Sequence, residues 1–371
     1  MNSTQKKKVL FLGLTDYDLG KNDPSLQKKF LGLSQGMDVY VLARGKGWGI
    51  EKYGVKFYLI PRRFGKFGIF IWMFSVLNRS HKIIKVEKIN VISAQSPIIE
   101  GFAGAIIKKI EKLELIVESH GDWMNSPFIY HTVPFEYIAR RIVTWVGKYS
   151  LSNADKVRVI SKFTEELARK YTKATIYKFP AFIDADIFND TDNISWEERV
   201  IYVGALYKIK GVDVLIQAFQ KARLEFPNIK LDIVGEGPYR EHLEGLASAD
   251  PAGISFVGSK TLVEVKEAMA RSTVLVLPSL SEGLGRVLIE AGLLGKPVIG
   301  SNVGGIPDVI VDGDNGYLFK PNDVDDLVEK LKNIFSDIER AKAMGASNRE
   351  RSMKIASTGK YFSEYRDMVS A

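Results

Sequence analysis

The chain has no cysteine among its 371 residues and only four histidines. Without cysteine there are no disulfide bonds and no thiolate metal sites, which fits a reducing, cytoplasmic compartment. The histidines, at positions 81, 120, 131 and 242, are too scattered in sequence to suggest a metal cluster. Long apolar runs are also missing, since the uncharged segment 67–78 is well short of the ~20 residues that cross a bilayer. The sequence therefore predicts neither a metal site nor a transmembrane helix.

Positive charge is concentrated in the first half of the chain. Residues 1–190 contain 30 Lys and Arg against 18 Asp and Glu, whereas residues 191–371 contain 22 against 26. Such asymmetry indicates different partners for the two halves. No helix-turn-helix, zinc-finger or RNA-binding pattern accompanies the basic half, so nucleic acid is not expected as a partner. An anionic membrane surface or an acidic acceptor suits the basic half better.

Short apolar segments alternate with helical patterns along the chain. This alternation predicts an α/β protein with parallel, doubly wound sheets, and 371 residues suit two such domains. We expect a first domain over residues 1–190 and a second over residues 191–354. The final segment, 355–371, carries aromatic residues at helical spacing and is expected to pack back on the first domain as a helix.

The most informative stretch runs from Pro278 to Lys320. An apolar segment precedes a glycine-rich turn that contains Glu282, and Glu290 follows eight positions later on a predicted helix. A second apolar segment then completes a strand–loop–helix–strand unit. Because ligands of open parallel sheets bind at the carboxyl ends of the strands, this loop is a candidate ligand site.

Two carboxylates at this spacing suit a polyhydroxylated, phosphorylated ligand. A carboxylate accepts hydrogen bonds from two hydroxyl groups at once, with charge-assisted strength. Eight helical residues span roughly 12 Å at ~1.5 Å per residue, so Glu282 and Glu290 can hold opposite ends of a nucleotide sugar. Between them, Gly283 to Arg286 lets backbone amides approach a diphosphate at a helix amino terminus. The alternative is a surface helix with two solvated glutamates.

The motifs around these glutamates resemble those of one enzyme family. The stretch is similar to the E-x7-E region of the GT4 family of retaining glycosyltransferases, which share the two-domain GT-B fold. The resemblance covers most of the chain and is most specific between residues 200 and 325. The further segments that carry it are Val203-Gly204, Lys210 to Asp213, Val234 to Pro238, Phe256 to Gly258, Gly304 to Asp308, Gly313 to Leu318, Ser119 to Gly121, Asn153 to Asp155, Ser161, and Pro180, Asp184 and Phe188.

The resemblance implies two Rossmann-like domains that face each other across a cleft, with a nucleotide-sugar donor bound by the second. Glu282 would hold the hydroxyls of the transferred sugar and Glu290 those of the ribose. Lys210 would neutralise the diphosphate, unless it is simply a solvated loop lysine. Backbone amides would reach the donor from one turn, formed by Gly283, Leu284, Gly285, Arg286 and Val287.

Further donor contacts follow from the same resemblance. Gly204, Gly235 and Gly237 would let the nucleotide lie over strand ends, although turn glycines need no such role. Val257 would line the base, or else belong to the core. In the first domain, His120 would contact the transferred sugar, unless it only caps its strand. Gly20 would approach the diphosphate from a loop that is longer and poorer in glycine than is usual in the family.

Three positions depart from the family pattern. Position 205 is alanine where similar enzymes commonly carry an arginine that pairs with the diphosphate. Lys208 or Arg286 would have to supply that charge. Asp308 replaces the more usual glutamate, and Ala181 replaces the usual asparagine. Both carboxylates and Lys210 are retained, so we expect a catalytic chain.

The acceptor side is marked by a basic and aromatic segment over residues 62–82. Arg62, Arg63 and Lys66 lead into an apolar run that begins at Phe67 and contains Trp72. A basic flank beside an aromatic helix is typical of a membrane interface. A core helix with a basic entry loop is the alternative. The charge of the first half favours the membrane surface.

The resemblance implies a retaining glycosyltransferase that needs no metal or other cofactor. It would move a hexose from a UDP- or GDP-linked donor to a hydroxyl of a lipid, polysaccharide or other glycan, in the cytoplasm or at the inner face of the membrane. A sugar-nucleotide epimerase of the same fold is one alternative. A non-catalytic subunit that pairs with an active partner is another, because position 205 is alanine.

Overall fold

The computed structural model describes residues 6–61, 68–129, 135–189 and 194–371. The chain divides into two compact units, an N-terminal unit of residues 1–182 with 359–371, and a C-terminal unit of residues 183–358. Each unit is built around its own β-sheet.

The N-terminal unit contains an eight-stranded sheet in the order β3-β4-β2-β1-β5-β6-β7-β8. All neighbouring strands run parallel except β3, which pairs antiparallel with β4 at the edge. Chain order therefore reverses between β1 and β5, as in a doubly wound fold. The strands are β1 (Lys8–Tyr17), β2 (Asp38–Gly45), β3 (Trp48–Lys52), β4 (Val55–Ile60), β5 (Val91–Ala94), β6 (Glu114–Ser119), β7 (Lys156–Val159) and β8 (Thr175–Lys178).

Seven helices of the described residues accompany this sheet, including the last helix of the chain. Their amino termini are set locally: Asp23 accepts a hydrogen bond from the amide of Leu26 at 2.9 Å, and Ser161 forms a capping box with Thr164. The helices are α1 (Pro24–Gly36), α2 (Gly68–Glu87), α3 (Ile99–Glu111), α4 (Ser126–Ile129), α5 (Glu136–Asn153), α6 (Lys162–Arg169) and α15 (Thr358–Ser370).

Helix α15 packs on the N-terminal sheet through an aromatic stripe. Tyr361, Tyr365 and Met368 are buried at helical spacing, and they join the core cluster that contains Phe179 and Phe182. The aromatic spacing of the sequence thus corresponds to a buried helix face.

The C-terminal unit contains a six-stranded, all-parallel sheet in the order β11-β10-β9-β12-β13-β14. The strands are β9 (Arg199–Val203), β10 (Lys230–Val234), β11 (Ile254–Gly258), β12 (Val274–Leu277), β13 (Val298–Ser301) and β14 (Gly316–Phe319). The helices are α7 (Ala185–Asn189), α8 (Val212–Arg223), α9 (Arg240–Ala247), α10 (Leu262–Arg271), α11 (Arg286–Leu293), α12 (Ile306–Val309), α13 (Val324–Phe335) and α14 (Ile338–Ile355), with a 3₁₀ turn at Lys208–Lys210.

The unit boundary lies earlier than the sequence suggested. We expected it after residue 190, whereas the structure places it between Phe182 and Ile183. The reason is α7, which buries Phe188 and packs against α11 and α10 of the C-terminal unit. The last residues assigned to the first domain thus contain a helix that belongs to the second unit.

The basic aromatic segment also differs from the favoured interpretation. Arg62, Arg63, Lys66 and Phe67 lie outside the described residues, but α2 is described from Gly68 onward. Its described apolar side chains Trp72, Val76, Ile83 and Ile84 are buried in the core, and Phe74 is exposed. The packing of α2 supports the core-helix alternative, because a helix buried on this face presents few apolar groups to a bilayer.

Candidate active site

The candidate site lies at the carboxyl edge of the C-terminal sheet. Strands β9 and β12 are neighbours at its centre, and the chain continues from β9 to one side and from β12 to the other. This is the topological switch point, where the loops diverge and leave room for a ligand. The loops after β9 and β12 carry Lys210 and Glu282.

Lys210 and Glu282 are in direct contact. The Nζ atom of Lys210 lies 2.7 Å from Oε2 of Glu282, and both side chains are largely buried. The Ser279 hydroxyl donates to the same carboxylate oxygen at 3.3 Å. Two residues that are 72 positions apart thus form one charged pair at the switch point.

Backbone contacts lock the two loops together. The amide of Leu280 donates to the carbonyl of Ile209 at 2.7 Å. Gly211, which ends the 3₁₀ turn, has φ of +62°, and a Cβ at this position would lie 2.2 Å from the carbonyl oxygen of Pro278. Because a larger residue would separate the loops, Gly211 is required for the Lys210–Glu282 contact.

The glycine pair after β13 holds the backbone of Glu282. The amide of Gly305 donates to the Glu282 carbonyl at 3.0 Å. Gly304 has φ of +55°, and a Cβ there would lie 2.0 Å from the same carbonyl oxygen. The glycine motif therefore positions the glutamate by close backbone approach.

Helix α11 begins directly after the Glu282 turn. Gly285 precedes the helix with φ of +81°, and Leu284 is buried, which fixes the direction in which the helix leaves the turn. The first amides of a helix have no intrahelical partner and carry partial positive charge. Gly283 lies in the turn and Val287 in the first turn of α11, so the amino terminus of the helix follows Glu282 directly in the chain.

Glu290 is a buried carboxylate on the second turn of α11. Its side chain is 7% exposed, and its partner is Arg286, whose Nη2 lies 3.2 Å from Oε1. Burial raises the pKa of Glu290, and the charge of Arg286 opposes this effect only in part. The alternative of a solvated glutamate is wrong for Glu290.

The glycines at the ends of β9 and β10 are packed against each other. A Cβ at Gly235, where φ is +139°, would lie 1.9 Å from the carbonyl oxygen of Gly204, and a Cβ at Gly237 would lie 2.3 Å from that of Leu206. A Cβ at Gly204 would approach the Tyr202 hydroxyl at 2.7 Å. These glycines therefore have a packing role in the protein itself, whether or not a nucleotide lies over them.

Three other predicted positions lie at the same sheet edge with exposed side chains. Ala205 follows β9, Lys208 begins the 3₁₀ turn, and Val257, 38% exposed, lies near the end of β11. Arg286 is half exposed but is committed to Glu290. Lys208 is therefore the better candidate of the two to supply the charge that alanine at 205 lacks.

His120 lies at the carboxyl end of β6 in the N-terminal unit. Its Nε2 atom is 3.1 Å from Oε2 of Glu118, which is buried at 1% exposure. Gly20, the other predicted residue of this unit, lies in the loop after β1, where its amide donates to Asp18 Oδ1 at 3.1 Å. The carboxylate behind His120 fixes the orientation of its ring.

Sequence reasoning missed the buried cluster around Glu118. Arg158, also buried, pairs with Oε2 of Glu118, while Oε1 accepts hydrogen bonds from Ser93 at 2.7 Å, Gln95 at 2.6 Å and Tyr365 at 2.6 Å. Burial acts to raise the pKa of Glu118, but the charge of Arg158 and the hydrogen bond with His120 outweigh it and hold the pKa well below its usual range. A glutamate and an arginine inside two apolar strands were the available signal.

Two absences hold for the described part of the chain. No group of three His, Asp or Glu side chains within it comes close enough to hold a metal ion. No helix within it is long and apolar enough to cross a bilayer.

Comparison with known families assigns both units. Residues 185–351 match the family described as Glycosyl transferases group 1. Residues 33–186 match the family described as Glycosyltransferase Family 4. The chain belongs to the group 1 glycosyltransferases. The predicted resemblance is therefore confirmed, and the two matched regions correspond to the two units.

Two relatives of this glycosyltransferase align with most of its length. It is 27% identical over 301 residues to the GDP-mannose-dependent alpha-(1-6)-phosphatidylinositol monomannoside mannosyltransferase of Mycolicibacterium smegmatis, covering 74% of this chain and 75% of the relative. It is 25% identical over 354 residues to the N-acetyl-alpha-D-glucosaminyl L-malate synthase of Bacillus anthracis, covering 89% and 88%.

A solved structure supports the fold. The sucrose-phosphate synthase of Thermosynechococcus elongatus superimposes with a TM-score of 0.80 at 20% identity, covering 98% of this chain and all of that one. The two parallel-sheet α/β units are those of a GT-B glycosyltransferase, as predicted.

Proposed function

We propose that this glycosyltransferase is a retaining enzyme that transfers a hexose from a UDP- or GDP-linked donor to a hydroxyl of a lipid, polysaccharide or other glycan. The observation that carries the proposal is the Lys210–Glu282 contact of 2.7 Å at the switch point of the C-terminal sheet. A cation and a carboxylate in one place match a ligand that combines a diphosphate with a sugar.

The two charges have complementary tasks in this proposal. Lys210 would turn to the diphosphate and neutralise the negative charge that develops as the nucleoside diphosphate leaves. Glu282, released from the lysine, would accept hydrogen bonds from the sugar hydroxyls. The amino terminus of α11 adds a field of the same sign as Lys210. We propose no metal cofactor, because these groups already supply positive charge at the leaving group.

The other predicted donor contacts complete the proposed site. Glu290 would bind the ribose hydroxyls, and burial suits this role because hydrogen bonds strengthen away from water. Val257, together with the glycines after β9 and β10, would border the nucleotide. His120 would contact the transferred sugar with its ring held by Glu118.

The proposed reaction retains the configuration of the sugar without a covalent enzyme intermediate. The bond from the anomeric carbon to the diphosphate oxygen breaks, while the acceptor oxygen bonds to that carbon on the same face. The acceptor proton passes to the leaving diphosphate oxygen. Lys210 then balances the charge on the nucleoside diphosphate, which is the product.

The acceptor is proposed more broadly than the donor. A relative of similar size is named for a phosphatidylinositol monomannoside acceptor and a GDP-mannose donor, which supports a lipid-linked or glycan acceptor here. We place the reaction in the cytoplasm or at the inner face of the membrane, where the basic first half of the chain suits an anionic surface.

The donor site is tested by a thermal-shift screen against UDP- and GDP-linked hexoses. A donor that binds the native state raises the melting temperature. At a donor concentration of a hundred times Kd, the native state is stabilised by about 2.7 kcal/mol. The Glu282→Ala and Glu290→Ala variants should either show no donor-induced rise in melting temperature or bind the donor without transferring the sugar. Glu339→Ala is the matched control, because that side chain is 78% exposed and lies outside the site.

Three results would contradict the proposal. Unchanged transfer by Glu282→Ala would remove the role of that residue. Release of a new sugar nucleotide without any acceptor would indicate the epimerase. Failure of the wild-type chain to bind any nucleotide sugar would indicate the non-catalytic subunit. The retaining outcome itself is read from the anomeric proton signals of the product.

A further inference from the structure

Helix α5 of the N-terminal unit carries a large exposed apolar surface. Five large side chains at its start are between 57% and 82% exposed. We call them the α5 patch: Phe135, Tyr137, Ile138, Ile142 and Trp145. Scattered exposed apolar residues are ordinary, but a contiguous set of this kind marks an interaction surface.

The α5 patch is distinct from the face that α5 uses for folding. Ile138, Ile142 and Trp145 follow at intervals of four and three residues, so they form one stripe along the helix. The buried residues of α5 lie on another side: Gly147 packs under the ring of Trp123, and Leu151 is fully buried. The helix is therefore already anchored on its other side.

Helix α3 extends the stripe sideways. The Phe102 ring lies 5.9 Å from Trp145 and 5.4 Å from Tyr149, and Trp145 stacks on Tyr149 at 5.8 Å. Ile110, eight residues along α3, is 67% exposed. These ring contacts hold Trp145 at the surface of the unit.

Cations border the α5 patch. Within residues 135–153 the charged side chains are Arg140, Arg141, Lys148 and Glu136, and the glutamate is bonded to Arg140 at 2.7 Å. From α3, Lys109 donates to the Tyr149 hydroxyl at 2.9 Å. The border is therefore positive, with the aliphatic stems of its lysines and arginines beside the apolar stripe.

We propose that the α5 patch docks this glycosyltransferase on an anionic lipid surface. Apolar and aromatic side chains beside basic ones, on a helix with a second buried face, fit the boundary between acyl chains and anionic headgroups. A second copy of the chain fits less well, because a symmetric contact would place the same cations against each other. The location differs from the predicted segment 62–82, where Trp72, Val76, Ile83 and Ile84 of α2 are buried in the core.

This inference concerns the lipid partner and deepens the proposed function without using the donor site. A lipid-linked acceptor is confined to the membrane, so a docked enzyme meets it in two dimensions. Vesicle binding is measured without donor or acceptor. Its failure and the failure of transferase activity are therefore separate results.

The test is flotation of the full chain with vesicles of phosphatidylcholine, with or without about a third of phosphatidylglycerol. The wild-type chain should float with the anionic vesicles and much less with the neutral ones. Ile142→Ser with Trp145→Ser should weaken binding roughly tenfold or more. Arg141→Gln with Lys148→Gln should weaken it about 25-fold, since each cation near the surface contributes about fivefold.

Matched controls remove the same chemistry elsewhere. Leu224→Ser with Val263→Ser deletes apolar groups that are 88% and 57% exposed in the C-terminal unit, and it should bind vesicles like the wild type. If the apolar patch variant fails to fold, the Arg141→Gln and Lys148→Gln variant carries the test, because it keeps the Trp145 packing.

Three outcomes would overturn the proposal. The wild-type chain does not float with anionic vesicles, or the patch variants float as well as the wild type. Alternatively, light scattering shows a dimer that the patch variants convert to a monomer while vesicle binding is unchanged. That last result would assign the α5 patch to a second copy of the chain.

Discussion

Replacement of Glu118 by glutamine tests the buried cluster behind His120. Glu118 and Arg158 are 1% and 3% exposed at the side chain, and they form an ion pair. Glutamine keeps the shape and can still accept from Tyr365, but it removes the negative charge. Arg158 would then retain only the carbonyl of Pro180 at 2.7 Å and the rings around it.

The expected loss of stability is large because the arginine stays buried. Removal of one partner from a buried ion pair destabilises by about 3–5 kcal/mol, against a total of about 5–15 kcal/mol for a native domain. Tyr365→Phe deletes one hydrogen bond to the same carboxylate and should cost about 1.5–3 kcal/mol. Glu118→Leu with Arg158→Met removes both charges and should cost less than Glu118→Gln alone.

The assay is urea denaturation followed by circular dichroism, at neutral and at acid pH. The folded pKa of Glu118 lies below its unfolded value, which is about 4.3. Its ionic contribution is therefore present above that pH and is lost as the pH falls through the folded pKa. The difference in the free energy of unfolding between the wild type and Glu118→Gln should therefore decrease as the pH falls through this range. A difference under about 1 kcal/mol at neutral pH would refute the buried pair.

The remaining predictions concern the C-terminal unit. Glu290→Gln should raise the melting temperature of the ligand-free chain, because burial raises the pKa of Glu290 and its ionisation opposes folding as the pH rises; the variant should also lose the donor-induced shift. Gly304→Ala should lower transfer strongly, since its Cβ would lie 2.0 Å from the Glu282 carbonyl; unchanged turnover would show that the loop can yield. Burial lowers the pKa of Lys296 to about 7. The free energy of unfolding should therefore increase as the pH rises from about 7 to about 10.4, the pKa of lysine in the unfolded chain. Lys296→Met should flatten that rise in urea titrations at several pH values.

The stretch from Pro278 to Lys320 shows how much a sequence can specify. Its strand, turn, helix and second strand were predictable because apolar runs, glycines and helical spacing follow one another within 43 residues. The contacts of Gly304 with Glu282 and of Gly211 with Pro278 also rest on glycines that the family pattern contains. Secondary structure of this kind is predictable because the preferences of the local sequence agree with the final fold.

The cluster around Glu118 could not be predicted in the same way. Glu118 lies 40 residues from Arg158 and 247 residues from Tyr365. An acidic residue inside an apolar strand indicates a buried partner, but periodicity does not identify which strand or helix supplies it. The partner depends on the sheet order β6-β7 and on where α15 packs.

The sequence pattern alone does not separate α2 from α5 as a candidate membrane helix. Both α2 and α5 combine aromatic and basic residues, and the pattern of α2 is the more apolar of the two. Burial separates them: Trp72 of α2 is 4% exposed, whereas Trp145 of α5 is 58% exposed. Amphipathic spacing indicates that one face of a helix is buried. Only the packing of the folded unit shows which apolar side chains stay exposed.

The glycine motifs and the charged residues do not support the proposed function equally. Gly204, Gly235 and Gly304 each have a packing reason that holds in the absence of any ligand, so their presence is compatible with a fold that has lost its activity. Glu290 has no such packing reason, because burial raises the pKa of its carboxylate, so we expect the ionised form to make the ligand-free chain less stable. A residue that destabilises the native state is expected at a functional site, because activity there requires groups that do not favour folding. A stabilised Glu290→Gln variant that no longer binds nucleotide sugars would therefore be stronger evidence for the donor site than the loss of activity alone.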